Sequence, residues 1–221
     1  MKKQTVQTLE DILEVAQGYA NTTVIYRGVG SSKHELIPKV GRRRRGSKTL
    51  ELKDERYILR LFKQRAVAHL DRTPTDDWEW LALAQHHGLP TRLLDWTRNP
   101  LVAAYFAVAE EAKEDSAFYA YQSNKYLQIE KHKDPFSVDR VARVVPNHVT
   151  TRISVQSGLF TIHPHPSEPF NVPSIEKFVI PASSRKPMKK ALNKVGIDNA
   201  SLFPDLDGIA RHIAWLRTDG H

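Results

Sequence analysis

The order in which helical and extended patterns follow one another is the feature that most restricts the fold of this chain. Apolar residues recur at three- and four-residue spacing mainly in the first half, which is typical of amphipathic helices. Runs rich in β-branched and aromatic residues, which favour strands, lie mostly later, at 117–121, 142–145 and 176–180. Because the two patterns do not alternate regularly, we expect an α+β fold in which N-terminal helices pack on a small mixed or antiparallel sheet.

Local signals mark where several elements begin. Thr8 opens a helix with a capping-box pattern, and Asn99-Pro100 combines an N-cap residue with a proline at the first helical position. Thr75 is the predicted N-cap of a helix that carries Gln85 near its end. We predict a short strand at 22–26, and a strand interrupted by a turn at 153–162.

Composition and charge limit the kind of protein this is. The 221 residues are 40% hydrophobic and 26% charged, with no internal repeat or linker, so we expect one globular domain over residues 1–221. Lys and Arg (33) exceed Asp and Glu (25) by eight, which favours anionic partners such as nucleotides, nucleic acid or acidic lipid.

The absence of cysteine excludes disulfides, thiolate nucleophiles and cysteine-ligated metals. It also suits a reducing compartment, and we expect a cytoplasmic protein. No run approaches the roughly 18 apolar residues that a membrane span needs, and the N-terminal sequence lacks the apolar core of a signal peptide. We therefore expect no membrane association.

Tyr26-Arg27-Gly28 follows the first predicted strand directly. A guanidinium at a strand end, beside a glycine that permits close approach, suits a phosphate or carboxylate ligand. A structural salt bridge of Arg27 is the alternative.

Residues 81–97 concentrate polar side chains around the end of a helix. These are Gln85, His86, His87, Thr91, Arg92 and Asp95. Such groups can do acid–base work or hydrogen-bond a substrate, whereas a metal site is the weakest option because no further ligands complete a set, and we predict no metal. The alternative is that they only hydrogen-bond the backbone of the turn.

Two further segments carry candidate residues. Gln156, next to Ser157-Gly158 at a predicted strand bend, can hydrogen-bond a ligand amide or hydroxyl, or it can satisfy a bulge. The segment GRRRRGSKT at 41–49 resembles a phosphate-binding loop, but its lysine comes one residue late and the preceding strand contains Pro38. Four arginines remain there for a solvated loop or a nucleic-acid contact, namely Arg42, Arg43, Arg44 and Arg45.

These blocks, in this order, resemble the FRG domain family, which is named for its opening Phe/Tyr-Arg-Gly. The resemblance begins at Tyr26-Arg27-Gly28 and is strongest in AQHHGLPTRLLDWT at 84–97. It continues through Asn99-Pro100-Leu101 and QSGLFT at 156–161 to LFPDLDG at 202–208. Such domains occur in bacteria, phages and prophages, sometimes among defence-associated genes, which implies a defence or toxin setting.

A looser resemblance links the chain to mono-ADP-ribosyltransferases, which carry a similar Tyr-Arg-Gly on a core strand. It implies that Arg27 holds the diphosphate of NAD as substrate, and that Thr91 and Gln156 correspond to the family's Ser/Thr and late catalytic acid. Those enzymes have a glutamate where this chain has Gln156, and glutamine cannot supply negative charge. Either another carboxylate such as Asp95 supplies that charge, or transferase activity is absent.

The leading hypothesis is an enzyme that acts on a nucleotide, as an NAD-dependent transferase or a glycohydrolase. In it His86, His87, Asp95 and Gln156 are catalytic, while Arg27, Gln85, Thr91 and Arg92 bind the substrate. The first alternative is a nucleic-acid-binding module or nuclease that uses the arginine-rich loop, and the second is a non-catalytic host–phage interaction module with a protein partner.

Overall fold

A computed structural model describes residues 4–19, 23–42, 50–145 and 154–219. Its seven strands form one sheet in the order β1-β7-β4-β2-β3-β6-β5. They span β1 Gln4–Thr5, β2 Val24–Val29, β3 Leu93–Thr97, β4 Ser116–Gln122, β5 Ala142–Val144, β6 Gly158–Ile162 and β7 Ile175–Ile180. β1 pairs with β7 in parallel and every other neighbouring pair is antiparallel, so the sheet is mixed and the predicted α+β class is confirmed.

Seven α-helices accompany this sheet in the described part of the chain. They span α1 Leu9–Gln17, α2 Leu52–Ala66, α3 Asp77–His86, α4 Pro100–Val108, α5 Ala182–Lys194, α6 Asn199–Leu202 and α7 Leu206–Thr218. None of the helices described is long and apolar enough to cross a membrane.

The predicted helix starts are confirmed at two places. Thr8 forms a capping box with Asp11 at the start of α1, and Asn99 Oδ1 accepts from the Leu101 amide at the start of α4, where Pro100 is the first helical residue. At α3 the prediction is wrong by one residue, because Asp76 rather than Thr75 is the N-cap and accepts from the Glu79 amide.

Helices α1 to α6 contribute apolar side chains to clusters on one sheet face, here called the helical face. Tyr26 and Phe118 pack there against α1, α4 and α5, and Leu93 and Phe160 pack against α2 and α3. Tyr26 pairs with Thr97, and alternation along β3 puts Asp95 on the same face. Asp95 therefore lies between the two helix groups.

The opposite face, here called the loop face, is covered by irregular segments. Ile25, Trp96 and Tyr119 pack there against Leu36 and Phe170. Arg27 belongs to this face by alternation, since it pairs with Tyr119.

Gly28 is a point of close contact between β2 and α4. A Cβ at this position would lie 1.9 Å from the carbonyl oxygen of Ala103 and 2.5 Å from the amide nitrogen of Ala107. The group whose close approach the glycine permits is thus the backbone of α4.

We expect Gly28→Ala to lower the free energy of unfolding by about 1–3 kcal/mol or more, because the methyl group forces α4 away from the sheet. Urea denaturation measures the change. Gly30→Ala is the matched control, since nothing lies within 4 Å of a Cβ there, and it should stay within about 0.5 kcal/mol of the wild type. Equal stability of the two variants would contradict the packing argument.

His163 is a buried histidine just after β6, 2% exposed. Its Nε2 lies 2.8 Å from Thr161 Oγ1, which accepts a hydrogen bond from Trp96 Nε1 at 2.9 Å. Burial, and secondarily the charge of Arg27, lower the pKa of His163 to about 3. The imidazole is therefore neutral in the folded protein at neutral and mildly acidic pH.

Folding stability is expected to fall on acidification because of this histidine. Between pH about 3 and about 6.5 the unfolded chain binds a proton at His163 that the folded protein does not, so stability decreases by about 1.4 kcal/mol per pH unit as the pH falls through that range. Urea denaturation between pH 5 and pH 7 should give a smaller slope for His163→Gln than for the wild type. Equal slopes would show that His163 does not contribute.

Candidate functional site

A cavity of about 330 Å³ opens on the helical face between α3 and α4. Strands β2, β3 and β6 form its floor, while Ala103 and Phe106 of α4 contribute to one wall. The sequence-predicted residues that line it are Arg27, Gln85, His86, Asp95 and Gln156. The structure thus brings together side chains from three separate segments of the sequence.

Arg27 is hydrogen-bonded to β3, and its guanidinium still has nitrogen atoms that can donate to a ligand. Its Nη1 donates to the main-chain oxygen of Asp95 at 2.5 Å and lies 3.6 Å from Asp95 Oδ2. The Arg27 side chain is 15% exposed, whereas that of Asp95 is 57% exposed, so solvent screens the attraction between the two charges. Nε of Arg27 is buried and has no hydrogen-bond partner among the described residues.

A short relay of hydrogen bonds orients the Asp95 carboxylate. Thr91 Oγ1 donates to Gln85 Oε1 at 2.6 Å, and Gln85 Nε2 donates to Asp95 Oδ2 at 2.8 Å. The threonine hydroxyl fixes the amide orientation, since only Oε1 can accept its proton. Thr91 is buried and is not among the cavity-lining residues, so the structure places it behind Gln85.

Gln156 lies at the cavity edge, immediately before β6. Its Nε2 donates to the main-chain oxygen of Leu202 at 2.9 Å, at the end of α6. Its own main-chain oxygen accepts from Thr97 Oγ1 at 2.6 Å. The next residue, Ser157, has φ 49°, a conformation that costs energy for a residue other than glycine and is common at functional sites.

The two histidines at the end of α3 lie in different surroundings. Their rings contact edge to face with centroids 4.9 Å apart. His86 lines the cavity, whereas His87 is the exposed C-cap residue and does not line it. Gly88, with φ 82°, then ends the helix.

Arg92 lies away from the cavity, which differs from its predicted place in the substrate site. Its Nε and Nη2 donate to the two carboxylate oxygens of Glu55 on α2, at 2.9 and 2.8 Å. The side chains are 4% and 5% exposed, so the pair is buried and bidentate. Such a charge is fully engaged by its partner, and the structure gives Arg92 a role in joining α2 to β3.

A second, outer hollow of about 750 Å³ lies on the other side of Arg27. It shares Arg27 and Gly28 with the cavity and is also lined by Lys33, His34 and Arg42. The positions of Arg43, Arg44 and Arg45 lie outside the described residues. Arg42, which the sequence grouped with them as a nucleic-acid contact, thus lines the hollow behind Arg27.

Several lining residues were missed by the sequence interpretation, among them Thr97 and Phe106. Phe106 lies in an apolar helix whose pattern indicates only core packing, so no local signal separates it from its buried neighbours. Thr97 adjoins the polar cluster, and that proximity was the available signal. Within the described ranges, no cluster of three or more His, Asp or Glu side chains could hold a metal ion.

Comparison with known families gives a match mainly in the first half of the chain. A family model described as FRG domain matches residues 22–116, which is less than half of the chain. The matched stretch contains Arg27, Gln85 and Asp95 but not Gln156. No curated protein and no solved structure matched the chain.

Proposed function

We propose that this chain, which matches the FRG domain over residues 22–116, is an enzyme that acts on a dinucleotide and cleaves the bond between nicotinamide and ribose in NAD. One observation carries this proposal. Arg27 is shared by the walls of the cavity and the outer hollow, so an anionic group bound to its guanidinium would have room for a ring-bearing group on either side.

The volume of the cavity supports a ligand that extends beyond it. About 330 Å³ is near the lower end of the roughly 300–1,000 Å³ that pockets for small ligands occupy. It therefore suits one base and its ribose, and the rest of a dinucleotide would continue past Arg27 into the outer hollow. Phe106 and Phe160 supply aromatic surface in the cavity lining, against which a planar ring packs favourably.

Asp95 is the carboxylate best placed to support the reaction. Cleavage leaves positive charge on the ribose as the bond to nicotinamide breaks, and a fixed carboxylate stabilises such charge. Gln85 holds Asp95 Oδ2 at 2.8 Å, which orients the carboxylate before the substrate binds. Asp95 then takes the electrostatic role that Gln156, a neutral amide, cannot fill.

The proposed reaction is a hydrolysis of NAD. Water bonds to the anomeric carbon of the ribose, the carbon–nitrogen bond breaks with its electron pair going to the nicotinamide nitrogen, and one proton is released. ADP-ribose and nicotinamide are the products, and a transferase would use an acceptor nucleophile in place of water. His86, in the cavity lining, is our candidate for taking that proton.

The resemblance to FRG domains supports a bacterial or phage setting in defence or as a toxin, and the absence of cysteine supports a cytoplasmic location. The alternatives, a nucleic-acid-binding module or nuclease and a host–phage interaction module, remain predictions. Binding to nucleic acid should fall steeply with salt, which separates it from binding in an enclosed cavity.

The test is incubation of the purified protein with NAD, followed by chromatographic measurement of nicotinamide and ADP-ribose. A titration of NAD by calorimetry measures binding separately from turnover. The proposal is overturned if neither binding nor product is detected with folded protein. The Arg27 and Asp95 variants described in the Discussion assign any activity to this cavity.

A further inference from the structure

We propose that Arg42 and Arg27 together bind the two phosphates of a diphosphate group in the outer hollow, so that the site takes diphosphate-containing nucleotides in preference to nucleoside monophosphates. The nucleotide part of this inference rests on the proposed function, whereas the diphosphate part rests on the hollow itself. Arg42, which the sequence grouped with a nucleic-acid-binding loop, is thereby assigned to the same site as Arg27.

The outer hollow is enriched in cationic side chains. Arg27, Lys33 and Arg42 line it together with His34, and Glu35 is the only carboxylate in its lining among the described residues. Lys33 is paired with Glu114 at 3.6 Å, and its side chain is 83% exposed. The two arginines are therefore the cations best placed to bind a ligand inside the hollow.

The main chain that carries Arg42 is held in place before any ligand binds. Residues Lys39–Gly41 form a short 3-10 helix, and a Cβ at Gly41 would lie 1.8 Å from the carbonyl oxygen of Pro166. The Val40 amide also donates to the Thr91 main-chain oxygen at 3.2 Å. These contacts join the turn to the block that carries Gln85 and Asp95, which reduces the ordering cost of binding.

The Arg42 side chain is oriented but not neutralised. Its Nε donates to the Ile37 main-chain oxygen at 2.9 Å. Within the ranges that the structure describes, its terminal nitrogens have neither a hydrogen-bond partner nor an ion-pair partner. A guanidinium held by Nε alone can present both terminal nitrogens to phosphate oxygens.

Arg42 and Arg27 line the same hollow, where their charges act on each other. Partial burial, followed by the positive charge of Arg27, lowers the pKa of Arg42, and Asp95 partly opposes that effect. Two like charges in one hollow repel each other without a ligand. A diphosphate offers a separate phosphate group to each guanidinium and offsets that repulsion, whereas the oxygens of a single phosphate have to be shared between the two arginines.

Calorimetric titration with inorganic pyrophosphate and with inorganic phosphate tests the inference without any nucleoside. We expect the wild type to bind pyrophosphate at least about tenfold more tightly than phosphate, since a second charge-assisted contact contributes that much. Arg42→Gln should lose this preference and Arg42→Lys should keep part of it, because lysine retains the charge without the fork.

Arg60→Gln is the matched control, since it removes the same charge from an exposed arginine on α2 and should retain the wild-type preference. The inference is overturned if pyrophosphate binds no more tightly than phosphate, or if Arg42→Gln and Arg60→Gln behave alike. Thermal melts check that each variant is folded.

Failure of this inference and failure of the proposed function give different results. If NAD is cleaved equally by wild type and Arg42→Gln, the enzyme proposal stands and the diphosphate site falls. If Arg42→Gln loses the preference for pyrophosphate but no protein cleaves NAD, the diphosphate site stands and the enzyme proposal falls. A single-stranded oligonucleotide is also added as a competitor. If it displaces pyrophosphate from the wild type and from Arg42→Gln alike, the result favours a nucleic-acid surface over a diphosphate site.

Discussion

Replacing Arg27 with glutamine is expected to weaken NAD binding at least about 30-fold, because truncating a buried, hydrogen-bonded charge costs at least about 2 kcal/mol. The guanidinium is 15% exposed and lies at the wall that the cavity and the outer hollow share. A phosphate bound there would lose its charge-assisted donors together with the opposing positive charge. Calorimetric titration of NAD measures the change directly.

Arg27 also donates to the main-chain oxygen of Asp95, so a stability control is essential. Arg27→Lys keeps the charge but lacks the guanidinium fork, and we expect it to bind NAD between the wild type and Arg27→Gln. Arg60→Gln should bind NAD like the wild type. Unchanged NAD affinity in a folded Arg27→Gln protein would remove Arg27 from the site.

Replacing Asp95 with asparagine is expected to lower kcat for NAD cleavage by about 10²- to 10³-fold, the range seen when one preorganised electrostatic group is removed from a transition-state site. Asparagine has nearly the same shape, and its side-chain oxygen can still accept the hydrogen bond from Gln85 Nε2. The change therefore removes the negative charge with little loss of geometry. Steady-state measurement of nicotinamide release separates kcat from KM.

The signature of this role is a fall in kcat with little change in KM, because the charge acts on the positive centre that forms as the bond breaks. Asp71→Asn, at an exposed position outside the cavity lining, is the matched control and should leave kcat unchanged. A rise in KM with normal kcat would mean that Asp95 only helps to bind the substrate. In that case another residue would have to stabilise the ribose cation.

Part of the candidate site could be predicted from the sequence because it is local. Gln85 and Asp95 are separated by ten residues, and the helix ends at Gly88 between them, so the two side chains can meet across one turn. Thr91, inside the same block, was predicted to bind substrate, while the structure makes it the donor that fixes Gln85. The polar character of Thr91 indicated a role near the site, but its spacing in the sequence did not show that it lies behind Gln85 rather than in the cavity wall.

Long-range pairing explains what the sequence interpretation missed. No strand was predicted over residues 91–97, yet five of them form β3, which pairs with both β2 and β6. Arg92 was grouped with the site by proximity along the chain, but its partner Glu55 is 37 residues away. Arg92, just before β3, is drawn to Glu55 of α2, whereas Asp95, three residues further on, lines the cavity.

The sequence by itself determined the class of fold, the helix caps at Thr8 and Asn99, and the block that holds Gln85 and Asp95, since each depends on residues within about one helical turn or a short segment. Only the tertiary structure decided that Gly28 admits the backbone of α4, and that Arg42 lies behind Arg27. It also decided that Gln156 reaches the same cavity from beyond residue 116. These contacts depend on which strands pair and which helix faces pack, and such long-range choices are set by burial over the whole chain rather than by any local pattern.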